Sequence, residues 1–210
     1  MSIKATSALS LVAIWAAMIP AVVANTDAWW TLIFAGLATG AVGIGMWRRL
    51  GLSRLVAITA IWVATALVVA EHESAAWISV FSFLATGAVV YSMMARTALL
   101  LGVGIAASWA ITAAAILVAD GEGAYIAIFA FLTAATVANS WRGESRGVAA
   151  IVWWGIAGAI MIPTEGWFWL SAIAWILSMA SIGIWRGGFA FPHRFEWDLF
   201  ERDDDGRVVR

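Results

Sequence analysis

Residues 98–119 read Ala98-Leu99-Leu100-Leu101-Gly102-Val103-Gly104-Ile105-Ala106-Ala107-Ser108-Trp109-Ala110-Ile111-Thr112-Ala113-Ala114-Ala115-Ile116-Leu117-Val118-Ala119, and none of them carries a charge. The chain then breaks at Asp120-Gly121-Glu122-Gly123 and turns apolar again over 125–141. An α-helix rises about 1.5 Å per residue, so roughly 20 apolar residues cross a hydrocarbon layer of about 30 Å. A helix also satisfies its backbone N–H and C=O groups within its own segment, as the bilayer interior requires. Working outward from 98–119, the same charge-free pattern occurs at 8–24, 30–47, 55–70, 77–94, 125–141, 147–163 and 167–185. The sequence therefore predicts an all-α integral membrane protein with eight transmembrane helices.

Composition agrees. Of 210 residues, 63% are hydrophobic and 12% are charged, about half the charged share of an ordinary soluble domain. A soluble fold of this length has no core large enough for so much apolar surface. Nucleic-acid binding and disorder are excluded on the same ground. There is no Cys, which removes disulfides, iron–sulfur clusters and thiol catalysis. Neither His72 nor His193 lies inside an apolar run, so a helix-borne bis-His haem has no ligands. The only Lys is Lys4, ahead of the first run, which excludes a retinal Schiff base.

The polar breaks alternate in sign. Asn25-Thr26-Asp27, Glu71-His72-Glu73-Ser74, Asp120-Gly121-Glu122-Gly123 and Pro163-Thr164-Glu165-Gly166 hold carboxylates and no Lys or Arg. The other breaks hold Arg48, Arg49, Arg54, Arg96, Arg142, Arg146 and Arg186 against one acid, Glu144. Because positive charge stays on the cytoplasmic side, this alternation predicts a multi-pass protein of the cytoplasmic (inner) membrane with both termini inside and the acidic turns outside. Lys4 and the run ending at Ala24 also look like a secretory signal peptide. The fit of Trp15 to the repeat described next favours a retained first helix.

The chain repeats with a period near 47. Phe34-Ala35-Gly36-Leu37-Ala38-Thr39-Gly40-Ala41-Val42 returns as Phe81-Ser82-Phe83-Leu84-Ala85-Thr86-Gly87-Ala88-Val89, and more loosely as Phe129-Ala130-Phe131-Leu132-Thr133-Ala134-Ala135-Thr136-Val137. Trp15, Trp62 and Trp109 mark successive odd helices, and Trp153-Trp154 stands in the fourth. Trp30, Trp77, Tyr125 and Trp167 open the even helices. The unit is one helical hairpin, and a unit with two spans keeps its orientation. The reading is thus four tandem hairpins in parallel repeat (about 8–50, 55–96, 98–145 and 147–186) forming a domain over 1–186, with a cytoplasmic acidic-aromatic tail over 187–210. A pseudo-symmetric bundle about an axis along the membrane normal is expected. Gly36 and Gly40 form a GxxxG pair, and Ala130, Ala134 and Ala138 form a small-residue stripe. Both are expected to pack inside the bundle, or else at a homo-oligomer face.

Two-helix membrane units with a Trp in the first helix resemble the SPW-repeat family of prokaryotic membrane proteins. That family carries Ser-Pro-Trp in the first helix of each hairpin. Here Met18-Ile19-Pro20-Ala21 keeps the Pro alone, and the other units lack it at the equivalent position. The resemblance implies a membrane protein without an established activity.

Three sets of residues are candidates for function. Asp27, Glu73, Glu122 and Glu165 each precede an aromatic residue, and hairpins ringing an axis would gather them with His72 into an outer vestibule for cations or amines. Solvated turns beside an aromatic belt explain the same residues. The deep tryptophans Trp15, Trp62 and Trp109, with Trp153, Trp154 and Trp175, either line a groove for a lipid, quinone or carotenoid or simply pack, their indole N–H groups needing partners in either case. In the tail, Phe191, Phe195, Trp197, Leu199 and Phe200 sit among acids, a composition that suits a protein partner better than an anionic lipid surface. No ionisable residue lies within a span, which argues against a pump, a proton-coupled transporter or an intramembrane hydrolase. The expected role is non-catalytic: a structural or accessory subunit, with a lipid bilayer and a protein partner or second copy as its surroundings and no required cofactor. The alternatives are a passive channel or carrier for a small neutral or cationic solute, and a binder of lipid, quinone or carotenoid.

Overall fold

The computed structural model describes residues 3–45, 51–92, 94, 98–121, 123–139, 145–164, 168–184, 201–202 and 208–209. Eight α-helices account for nearly all of them: α1 (Ile3–Ala24), α2 (Thr31–Gly45), α3 (Leu52–Glu71), α4 (Ile78–Tyr91), α5 (Leu99–Val118), α6 (Ile126–Ala138), α7 (Ser145–Thr164) and α8 (Trp169–Ile184). Each falls within or close to one of the apolar runs. In the tail, β1 (Glu201–Arg202) and β2 (Val208–Val209) pair antiparallel.

Five segments are long and apolar enough to cross a membrane: Ala5–Ala24, Leu52–Glu71, Glu73–Tyr91, Leu99–Val118 and Ser145–Thr164. Thr31–Ile44, Ile126–Ala138 and Trp169–Ser181 are apolar but shorter. In the first two hairpins the turn at the acidic end takes up chain before the even helix begins. Thr26–Ala28 and Glu73–Ala75 are 3₁₀ turns, which rise faster per residue than an α-helix and carry the chain back toward the bundle before α2 and α4 begin. Asn25 ties the first turn to its neighbour by donating from Nδ2 to the Val69 carbonyl at 3.0 Å.

The helices pack in two rows. Along one, α1 meets α3, α3 meets α5 and α5 meets α7; along the other, α2 meets α4, α4 meets α6 and α6 meets α8. Each odd helix also packs on the even helix that follows it. The substantial contacts leave α1 and α2 at one end and α7 and α8 at the other. The expected closed bundle about an axis is thus replaced by an open double row.

Glycine placement on α5 accounts for the row. Successive helical residues turn by about 100°, so Gly102 and Gly104 point to nearly opposite sides. A Cβ on Gly102 would collide with the Ser53 carbonyl oxygen of α3, and a Cβ on Gly104 would lie 2.7 Å from the Gly147 Cα of α7. A Cβ on Gly147 would in turn collide with the Leu100 carbonyl. Backbone approaches this close, on opposite flanks, hold α3 and α7 on either side of α5.

Packing inside the bundle, the first of the two places expected for the GxxxG pair, is corrected. A Cβ on Gly36 or Gly40 would meet nothing within 4 Å, so this pair faces outward. Ala130, Ala134 and Ala138 are buried as expected. The centre of the molecule is filled by Trp62, Trp109 and Trp154, each fully buried, with Ile14, Met18, Ile58, Ile61 and Ile105 around them.

Candidate functional site

The deep tryptophans sit between the rows. Trp15 donates from Nε1 to the Thr39 hydroxyl at 2.9 Å, and Trp62 repeats this with Thr86 at 2.9 Å. Each threonine gives its own proton to the carbonyl four residues earlier, Ala35 or Ser82, which leaves its oxygen lone pairs to accept from the indole. In the last unit Trp154 donates to Thr133 at 3.0 Å, Trp153 to Ser181 at 2.6 Å and Trp175 to Thr136 at 3.4 Å. These are bonds between helices, in an environment where an unpaired N–H has no water to turn to.

Trp109 departs from the series. It is fully buried, and its Nε1 has no partner among the described residues. The repeat explains why: the position of Thr39 and Thr86 is Ala134 in the third unit. The nearby Thr133 serves Trp154 instead.

Two arginines close the even helices at the basic end. Arg54 is buried within α3; its Nε donates to the Val89 carbonyl at 3.1 Å and its Nη2 to the Ser92 carbonyl at 2.8 Å. Arg146 at the start of α7 donates from Nη1 to the Thr136 carbonyl at 3.3 Å. Each lies eight residues before a buried tryptophan, Trp62 or Trp154. A cation on the last carbonyls of a helix satisfies orphan acceptors and complements the helix dipole. In the sequence Arg54 reads as a loop charge, and only the periodicity with Trp62 hints at its inward role.

At the acidic end, Asp27 and Glu73 are exposed, and His72 is largely buried with Nδ1 3.8 Å from Asp120 Oδ1. Asp120 has a φ of 53°, while Gly121 and Gly123 each have a φ of 81°. The turn fits tightly there: a Cβ on Gly121 would lie 2.9 Å from His72 Cβ and from Ser74 Oγ, and one on Gly123 would lie 2.8 Å from the Phe168 ring. Aromatic residues link neighbouring even helices, Trp30 to Trp77 and Tyr125 to Phe168, both at 5.5 Å between ring centroids. Phe168 was not singled out by sequence reasoning. Glu122 and Glu165 lie outside the described residues, as do the tail positions Phe191, Phe195, Trp197, Leu199 and Phe200. Of the vestibule set, the structure therefore places Asp27, His72 and Glu73 along one edge of the row. Among the described residues no three His, Asp or Glu side chains are grouped to hold a metal ion.

The structure has a groove that sequence reasoning missed. It lies between α1 and α3, has a volume of about 290 Å³, and is lined by Ala17, Pro20, Ala21, Val63, Ala66, Leu67 and Ala70. Pro20 lies inside α1, where it cannot donate to the preceding turn. Small residues opposite it leave the fissure unfilled. None of Trp15, Trp62 or Trp109 lines it. Compared with models of known protein families, with curated proteins and with solved structures, the chain matches none.

Proposed function

We propose that this chain is an eight-span protein of the cytoplasmic membrane, built as four parallel hairpins with both termini inside, that acts as a non-catalytic structural or accessory subunit. It docks through its tryptophan-rich surface and its acidic-aromatic tail. The observation that carries this reading is the use of the interior polar groups. The buried indoles of Trp62 and Trp154 donate to hydroxyls on facing helices, and buried hydroxyls such as those of Thr65 and Thr112 turn back onto their own helices. Polar groups spent on packing support a scaffold better than they support a solute path or an acid–base site. Trp29, Trp77 and Trp169 remain outside, 63%, 63% and 79% exposed. The resemblance to the SPW-repeat family adds the expectation of a prokaryotic membrane protein of the same hairpin plan.

Gentle purification from native membranes, followed by native mass spectrometry of the full chain and of a variant ending at residue 189, tests the role. Co-purification of a different subunit that the shortened chain releases supports the accessory reading. A full-length chain that never carries another subunit contradicts it.

A second reading is favoured by the groove between α1 and α3. Its lining is apolar throughout, which suits the chain of a lipid, quinone or carotenoid. An absorbance scan together with mass analysis of extracted apolar molecules checks it. Retention of one such molecule by the wild type and its loss on Ala66→Phe supports the reading; equal retention by both contradicts it.

A further inference from the structure

The internal contacts of the odd row follow one register. The Ser53 carbonyl of α3 lies against Gly102 of α5, and the Leu100 carbonyl of α5 lies against Gly147 of α7. Leu100 is 47 residues after Ser53, the spacing of Trp62 and Trp109; Gly147 is 45 after Gly102, the spacing of Trp109 and Trp154. The same contact has been made twice. Each odd helix thus shows a front face to the next unit and a back face to the previous one. Near the middle of the helices, Ile111 of α5 abuts Gly158 of α7, whose added Cβ would lie 2.7 Å from the Ile111 Cγ2.

Continuing the register to the ends locates the faces that have no neighbour in the chain. The front of α7 carries Ser145 and Ile156, the equivalents of Leu100 and Ile111. The back of α1 carries Ala8 and Ile19, the equivalents of Gly102 and Gly158. All four are exposed, Ile19 by 52% and Ile156 by 48%. In the other row, Phe83 of α4 turns back to Phe34 of α2 at 6.4 Å between ring centroids. Its equivalent 47 residues earlier is Gly36, so the back of α2 is a hollow floored by Gly36 and Gly40. At the far end, α8 exposes Trp169, Ile173 and Ile176 along one stripe.

We infer that copies of this chain associate head to tail, with α7 and α8 of one copy seated on α1 and α2 of the next. The occupant follows from continuity: a second copy offers the front face that, within the chain, covers such a back face at the α3–α5 and α5–α7 junctions. A contact of this kind closes into a ring or extends as a row, according to the rotation between copies. Ile156 against Ile19 replaces Ile111 against Gly158, so the junction is wider than the internal ones and is best tested in the membrane. The inference uses the hairpin register and does not depend on the accessory role.

The chain has no Cys, so paired cysteines report the contact directly. In native membranes, the double variant Ile19→Cys with Ile156→Cys is treated with a short thiol cross-linker. The expected result is a ladder of dimers and higher multimers, with each single variant remaining monomeric. Gly36→Leu added to the double variant should lower the ladder about tenfold, a loss near 1.4 kcal/mol, while the chain still folds, because Gly36 is exposed and an added Cβ there meets nothing within 4 Å. A double variant that stays monomeric, single variants that dimerise equally well, or a ladder indifferent to Gly36→Leu overturns the proposal.

Discussion

Between the two helix rows, one residue pair recurs and one fails to. Trp15 with Thr39 and Trp62 with Thr86 are the same bond one repeat apart, and Trp109 faces the third unit without it. A buried donor left unpaired costs about 1–3 kcal/mol. Ala134→Ser places a hydroxyl at the position of Thr39 and Thr86, and should raise stability by about 0.5–1.5 kcal/mol. Unfolding in mild detergent measures this, with Trp109→Phe as the control in which the gain disappears. The reverse change, Thr86→Val, should lower stability by a similar amount through the orphaned Trp62 indole. The depth of these tryptophans was legible in the 47-residue spacing. Their acceptors were not: Trp154 bonds Thr133 on α6, in the preceding unit, and helix spacing along a chain does not say which neighbour an indole will face.

At the level of single helices, glycine has two opposite roles here, and the sequence alone does not separate them. Gly36 and Gly40 carry the familiar four-residue spacing yet meet nothing. Gly102 and Gly147, which belong to no such motif with each other, hold the tightest helix approaches. Gly102→Ala should therefore destabilise the bundle by several kcal/mol, of the order of 3, because the obstacle is backbone rather than a movable side chain. Gly36→Ala in the monomer should leave stability unchanged or raise it by up to about 1 kcal/mol through helix propensity. Thermal unfolding of the two variants side by side separates the roles. Arg54 presents the same difficulty. Its charge suggested a loop, whereas its fork reaches the end of α4. Arg54→Lys should lose about 1–2 kcal/mol, since an ammonium cannot reproduce the two-pronged contact, and circular dichroism melts would record it.

For the molecule as a whole, the charge-free runs gave away all eight helices, five of them in segments long and apolar enough to cross a membrane. Hydropathy is blind to how helices neighbour one another. The row, rather than a ring, is decided by Gly102 and Gly104 on opposite flanks of α5, and by turns such as Gly121 fitted against His72 and Ser74. A row also has ends, and its ends are where a second copy or another subunit would dock. The central claim is that every hairpin crosses the membrane in the same sense. Because the chain lacks Cys, single cysteines can be placed at Asp27, Glu73, Glu122 and Glu165, and at Arg48, Arg96 and Ser145. Each variant is then labelled in intact cells with a membrane-impermeant maleimide. The account predicts labelling at all four acidic turns, and labelling at the three basic-end positions only after the membrane is permeabilised. An acidic turn that stays protected, or a basic-end position that labels in intact cells, would contradict it.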